Sequence, residues 1–190
     1  MSTIAGLVLA AGEGRRFGGP KALARLDGER LVDRAAATVR AAGCDPVVVV
    51  EGAATLGRVE GATTVFAAAW RDGMGASLRA GLAALPDEAD GCVMFLVDTP
   101  WLTEACIRRV VDAWAADGRP GVAVATYEGH RGHPVLLARD VWAGVADEAE
   151  GDAGARAWMR THPGDVLEVD CTGLADPTDV DEPTPAITLP

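Results

Sequence analysis

Arg15, Arg16 and Lys21 place three cations within seven residues of a chain whose 28 acidic side chains outnumber its 17 Lys and Arg. They lie in Leu9-Ala10-Ala11-Gly12-Glu13-Gly14-Arg15-Arg16-Phe17-Gly18-Gly19-Pro20-Lys21. Glycines have no Cβ, so such a backbone can turn tightly and set its N–H groups against oxyanions. With the cations, the loop suits phosphates; the plainer use is a mobile surface turn with solvated charges. It is not a Walker A loop, because Pro20 precedes Lys21 and Ala22 follows it where Ser or Thr is required. It is not a dinucleotide fingerprint either, because Phe17 stands where the third glycine belongs.

The elements that must position this loop are legible around it. Residues 4–11 form an apolar, β-leaning run that leads into the glycines. Residues 31–42 carry helical periodicity and end at Gly43, a helix stop. Four consecutive valines, 47–50, predict a strand buried on both faces, hence a central parallel strand. A short strand is expected at 65–66, a helix over 77–85 and a second buried strand over 92–97. Thr103 is placed to cap a helix running to about residue 116. Strands are expected at 122–126 and 135–137, with a glycine-rich turn over 128–133 between them. Short helices over 141–146 and 155–160, then a strand over 166–169, precede an acidic, proline-rich tail. Alternating strands and helices imply a three-layer α/β/α sandwich with a mainly parallel sheet and an antiparallel excursion. Residues 1–190 are expected to form a single domain, with the tail from about 176 loosely packed. Ligands of open α/β sheets bind beyond the carboxyl ends of strands, which singles out residues 11–21 and Asp98-Thr99-Pro100.

Composition limits the partners. The chain has 190 residues, is 49% hydrophobic and has a net charge of −11. Such an acidic surface disfavours nucleic acid and anionic membranes, whose affinity comes from Lys and Arg. A small anion in one local cradle remains open. Cys44, Cys92, Cys106 and Cys171 form no C-x-x-C pair and read as reduced, buried thiols. The first apolar run lacks a basic flank and is too short for a signal peptide or a membrane span, so a soluble, cytoplasmic protein is expected. His130 and His133 have a metal-ligand spacing but no carboxylate or cysteine near them in sequence, which argues against zinc. Trp114, Trp142 and Trp158 lie at helical positions and are expected in the core. Trp70 and Trp101 lie near the two loops, where they could stack on a planar ligand or simply be buried.

The run Leu-Ala-Ala-Gly-x-Gly-x-Arg-x-Gly-x-x-Lys resembles the signature of nucleotidyltransferases with a GT-A-like fold, and more narrowly the MobA-like NTP-transferase (molybdopterin nucleotidyltransferase) family. Gly73-Met74-Gly75-Ala76-Ser77-Leu78, Asp98-Thr99-Pro100, Gly132-His133-Pro134-Val135-Leu136 and Gly151-Asp152-Ala153-Gly154-Ala155-Arg156 resemble its later motifs in the same order. The resemblance implies transfer of a nucleoside monophosphate from an NTP to a phosphorylated acceptor, with pyrophosphate leaving. An acceptor phosphate is already ionised at neutral pH, so positioning and charge stabilisation are the protein's work.

By that resemblance Leu9, Ala10, Ala11, Gly12, Gly14, Arg16 and Lys21 bind the nucleotide phosphates and base, with Asp72, Gly73, Gly75 and Ser77 near base and ribose. Lys21 and Arg15 meet the β- and γ-phosphates, while Arg16 has solvent as its alternative. Asp98 holds Mg²⁺ or, more plainly, caps the turn before Pro100. Asp179 is the better second ligand and Asp181 the reserve, or both are a solvated tail. Gly132, His133, Pro134, Asp152 and Arg156 face the acceptor. Guanylyl enzymes of the family tend to carry Leu-Ala-Gly-Gly and cytidylyl enzymes Leu-Ala-Ala-Gly; Ala11 therefore implies CTP over GTP. The implied acceptor is a molybdopterin-type cofactor, with a molybdoenzyme client or chaperone as a further partner. Guanylyl transfer, a sugar phosphate or small phosphorylated acid as acceptor, and a non-catalytic nucleotide-binding cofactor chaperone are the alternatives.

Overall fold

Val47 and Val49 face one hydrophobic cluster, and Val48 and Val50 face another. That is why the valine run is continuous: both sides of its strand are covered. The computed structural model describes residues 2–189. In chain order, β1 is Ile4–Leu9, and the two-residue strands β2 (Arg25–Leu26) and β3 (Glu29–Arg30) precede helix α1 (Leu31–Ala41). β4 (Val47–Glu51) and β5 (Thr63–Phe66) lead to α2 (Met74–Ala84), and β6 (Gly91–Leu96) leads to α3 (Glu104–Ala116). β7 (Val122–Tyr127) and β8 (His130–Ala138) form a hairpin. α4 (Trp142–Glu148), α5 (Arg156–Thr161), β9 (Val166–Asp170) and β10 (Ile187–Thr188) complete the order.

The main sheet has seven strands in the order β5-β4-β1-β6-β8-β7-β9. Its strands run parallel except β8, which lies antiparallel to both β6 and β7. The α1 and α3 side chains Val32, Val39, Ile107 and Trp114 bury against one face. The α2, α4 and α5 side chains Leu78, Trp142 and Trp158 bury against the other. The result is the expected three-layer α/β/α sandwich with one antiparallel excursion. Thr103 caps α3 as expected, its Oγ1 accepting from the Cys106 N–H at 3.3 Å. Among the described residues no helix is long and apolar enough to cross a membrane.

Two local expectations are corrected, and one small sheet was not foreseen. The glycine-rich turn shrinks to Glu128 and Gly129, both at positive φ, because His130 and Arg131 already pair with Tyr127 and Thr126. β2, β3 and β10 form a separate three-stranded sheet, and strands of two residues are too short to show alternation. The tail is not loose where it crosses the sheet: the Val180 N–H donates to the Asp98 carbonyl at 2.8 Å, and Val180 and Ile187 are buried. Single apolar residues in an acidic, proline-rich segment leave no periodic signal, yet they tie the tail across the carboxyl end of β6.

Candidate active site

The loop after β1 is anchored from within. Phe17, at the position where a dinucleotide fingerprint has glycine, is buried in the α1 and α3 core. The loop closes on Gly14, whose carbonyl accepts the N–H groups of Gly18 at 2.9 Å and Gly19 at 3.1 Å. Gly14 stands at φ +63°, and a Cβ there would run into the Gly19 carbonyl; only glycine fits this turn.

Lys21 projects from the end of that loop into a group of carboxylates. Its Nζ donates to Asp98 Oδ2 and to Asp181 Oδ1, each at 3.0 Å. Arg16 reaches the other oxygen of Asp181 at 2.9 Å. One oxygen each of Asp98, Asp179 and Asp181 lies within 4.8 Å of the others. Burial works against the Lys21 charge, but the Asp98 charge and its hydrogen bonds to both carboxylates outweigh it, so its pKa is raised. The hydrogen bond from Lys21 holds the Asp181 carboxyl below the usual range. Three clustered carboxylate oxygens are the hard donors that Mg²⁺ or Mn²⁺ takes, and a cation already bridges two of them. The donor set therefore fits a divalent ion. Arg16, with solvent as its alternative, is on Asp181 instead. Arg15 lines the cleft, but its guanidinium rests on Glu13.

Between this cluster and α2 lies an open cleft of about 560 Å³, a size usual for a bound small molecule. Its lining combines two chemistries. Gly12, Gly14, Arg15, Arg16, Lys21 and Asp98 supply charge or backbone N–H groups. Leu9, Ala11, Trp70, Met74 and Leu96 are apolar, with Ala11 and Trp70 brought together around Gly52 as its apolar end. Asp72, Gly73, Ser77 and Asp152 also border it. Such a mixed lining suits a ligand with a polyanionic tail and a planar, less polar head.

The second loop is shaped by its neighbour. Gly73, at φ +105°, abuts Gly151 so closely that a Cβ would meet its backbone at 2.6 Å. The Gly75 N–H donates to the Gly151 carbonyl at 2.8 Å, and the Met74 N–H reaches Asp152 Oδ1 at 3.3 Å. These glycines join the loop before α2 to the loop before α5, which the sequence did not reveal. Gly75 is buried in that contact and does not line the cleft, and the Ala10 side chain belongs to the α1-side core. Ser77 sits buried at the cleft wall in the first turns of α2. Trp70 borders the cleft, whereas Trp101 packs against the core.

The residues assigned to the acceptor side are more dispersed. Asp152 borders the cleft, while Gly132 lines a second cavity with His130 and Arg131 beside the β7–β8 turn. Pro134 is buried. His133 is half-buried, and its Nδ1 is out of reach of solvent and has no hydrogen-bond partner among the described residues. Burial lowers its pKa to about 4, against a pull upward from Asp98 and from the Met94 carbonyl and a push downward from Arg156. The unfolded chain therefore protonates this histidine below about pH 6.5 while the folded chain keeps it neutral to about pH 4. Stability falls as pH drops through that window and levels off beneath it. Between pH 7 and pH 5 the His133 contribution is on the order of 2 kcal/mol. Urea unfolding of His133→Gln should lack that share of the pH dependence; an unchanged slope would assign the loss to other groups.

Sequence reasoning missed Glu13, Ala22, Arg71, Met74, Leu96 and Val97, which also line the cleft. Met74 lies within the Gly73–Leu78 motif and Leu96 just before Asp98-Thr99-Pro100, so both were reachable by proximity. Arg71, whose guanidinium lies 4.4 Å from the Trp70 ring centre, carried no sequence signal.

Residues 6–166 match the model of the MobA-like NTP transferase domain. Nicotine blue oxidoreductase from Paenarthrobacter nicotinovorans is 35% identical over 94% of this chain and 92% of its own. Molybdenum cofactor guanylyltransferase from Desulfosudis oleivorans is 36% identical over 58% of this chain and 54% of its own length. Among solved structures, Rv0371c from Mycobacterium tuberculosis aligns with a TM-score of 0.77 at 31% identity, covering 95% of this chain and 94% of that one. A manganese complex of that protein aligns with a TM-score of 0.71.

Proposed function

This chain belongs to the MobA-like NTP transferase family, and from that premise we propose that it moves CMP from CTP to the phosphate of a molybdopterin-type acceptor, releasing pyrophosphate. The observation that carries the reading is Lys21, held between Asp98 and Asp181 at the mouth of the glycine-rich loop. The cationic loop and Asp98 of the carboxylate cluster share one cleft, as a triphosphate with its counter-cation requires.

In the proposed reaction an ionised acceptor oxygen bonds to the α-phosphorus. The bond to the bridging oxygen breaks, and its electron pair leaves on pyrophosphate. No proton need move, so no general base is required. Lys21 exchanges its carboxylates for the departing phosphates and offsets their charge. Backbone N–H groups around Gly12 and Gly14 orient the triphosphate, and the apolar end takes the base. Asp98, Asp179 and Asp181 are the residues that would hold Mg²⁺, which when bound supplies further charge stabilisation to the phosphates. Ala11 supports a pyrimidine, because its methyl narrows the apolar end. We read the whole chain as one catalytic unit of the cytoplasm, acting on small molecules and a molybdoenzyme client or chaperone rather than on nucleic acid or membrane.

Two other readings have specific support. The name of the Desulfosudis relative favours GTP as donor. The name of the Paenarthrobacter relative favours reduction of a small substrate. A panel of CTP and GTP against phosphorylated pterin and sugar acceptors, with Mg²⁺, separates them. Pyrophosphate release fastest with CTP and the pterin is expected. Equal or faster turnover with GTP would overturn the base assignment. Oxidation of a nicotinamide reductant without pyrophosphate release would overturn transfer itself.

A further inference from the structure

Three connections meet at the apolar end of the cleft. Ala11 follows β1, Gly52 follows β4, and Trp70 precedes α2. The Ala53 N–H donates to the Ala11 carbonyl at 3.0 Å, and the Ala10 N–H to the Val50 carbonyl at 3.0 Å. These bonds fix the backbones of Ala11 and Gly52 side by side. Trp70 is held too: its N–H donates to the Ala67 carbonyl at 3.0 Å, and its carbonyl accepts from Gly73 at 3.2 Å. Arg71 lies 4.4 Å from the indole ring centre.

A Cβ on Gly52 would lie 2.7 Å from both Cβ and Cγ of Trp70 and 2.9 Å from Cβ of Ala11. These are the roots of two side chains, not flexible ends, so no change of rotamer makes room. Either the Ala11 backbone or the Trp70 turn must move. Both groups line the cleft, and any such movement changes its apolar end.

We propose that Gly52 is a specificity-determining residue: by lacking a side chain it lets Trp70 close against Ala11, and this three-residue wall sets the size of nucleobase admitted. Ala11 alone is half of the device, because the methyl group narrows the site only while Trp70 stands behind it. The inference rests on reading the cleft as an NTP site. Small steric changes in an apolar pocket typically alter discrimination by about 10- to 200-fold.

The test is calorimetric titration of the full-length protein with CTP and with GTP in the presence of Mg²⁺, for wild type, Gly52→Ala and Trp70→Ala. Gly52→Ala drives Trp70 and Ala11 apart, breaks the wall and should move the affinity ratio about tenfold toward GTP. Trp70→Ala opens it and should move the ratio about fivefold or more toward GTP. Circular dichroism establishes that each variant is folded, and should Gly52→Ala fail to fold, Trp70→Ala decides alone. A ratio within about twofold of wild type in a folded variant, or a Trp70→Ala shift toward CTP, overturns the inference and leaves the NTP reading standing. Failure of wild type to bind either nucleotide overturns both.

Discussion

Asp98→Asn should leave the protein folded and lower turnover by about a hundredfold or more. Asparagine keeps the shape and an oxygen of the side chain but removes its charge. The backbone contact that ties the tail to β6 uses the Asp98 carbonyl, not its carboxylate, so Val180 stays in place. Lys21 retains Asp181 as a partner. What is lost is one negative charge from three clustered carboxylates, which in the proposed reaction would balance a divalent ion against the triphosphate. Preorganised charge in a water-poor cleft is commonly the largest single contribution to rate. Thermal unfolding and steady-state rates on the same preparation test this. A folded variant with near-normal turnover would remove Asp98 from the metal-holding role.

Lys21→Ala should slow the chemical step by a comparable factor, about a hundredfold, with a smaller rise in KM. The ammonium is mostly buried and held by two carboxylates, so its position is set before nucleotide arrives. In the proposed reaction it meets charge that grows on the leaving pyrophosphate, and an interaction strengthened in the transition state shows in kcat rather than in KM. The substitution also leaves Asp98 and Asp181 without the cation they share, so the variant should be less stable at neutral pH. An unchanged rate at saturating nucleotide would place Lys21 outside the chemical step.

Local chemistry made much of this architecture legible. The valines of β4 and the apolar run of β6 read as central strands because they are buried on both faces. Thr103 read as a cap because hydroxyls satisfy free helix N–H groups. The cleft was legible as two motifs, the loop of Lys21 and the turn of Asp98, because both follow parallel strands at one end of the sheet. Contacts between distant segments were not. Gly73 and Gly75 look like freedom for a ligand, but their missing side chains admit the loop around Gly151. Val180 looked like part of a solvated tail, but its burial brings Asp179 and Asp181 to Asp98. Gly52 is one glycine after a strand, and only the packed structure shows that its missing side chain leaves Ala11 and Trp70 room to meet. Such close approaches depend on the fold as a whole, which periodicity along the chain does not encode.

The site of bond cleavage in the bound nucleotide probes the central assignment most directly. CTP labelled separately at the α- and γ-phosphates, incubated with the protein and Mg²⁺ with or without a phosphorylated pterin, reports which bond breaks. Nucleotidyl transfer predicts α-label in the acceptor product and γ-label in pyrophosphate, with slow formation of CMP and pyrophosphate when the acceptor is withheld. Release of γ-label as orthophosphate, leaving CDP, would contradict it.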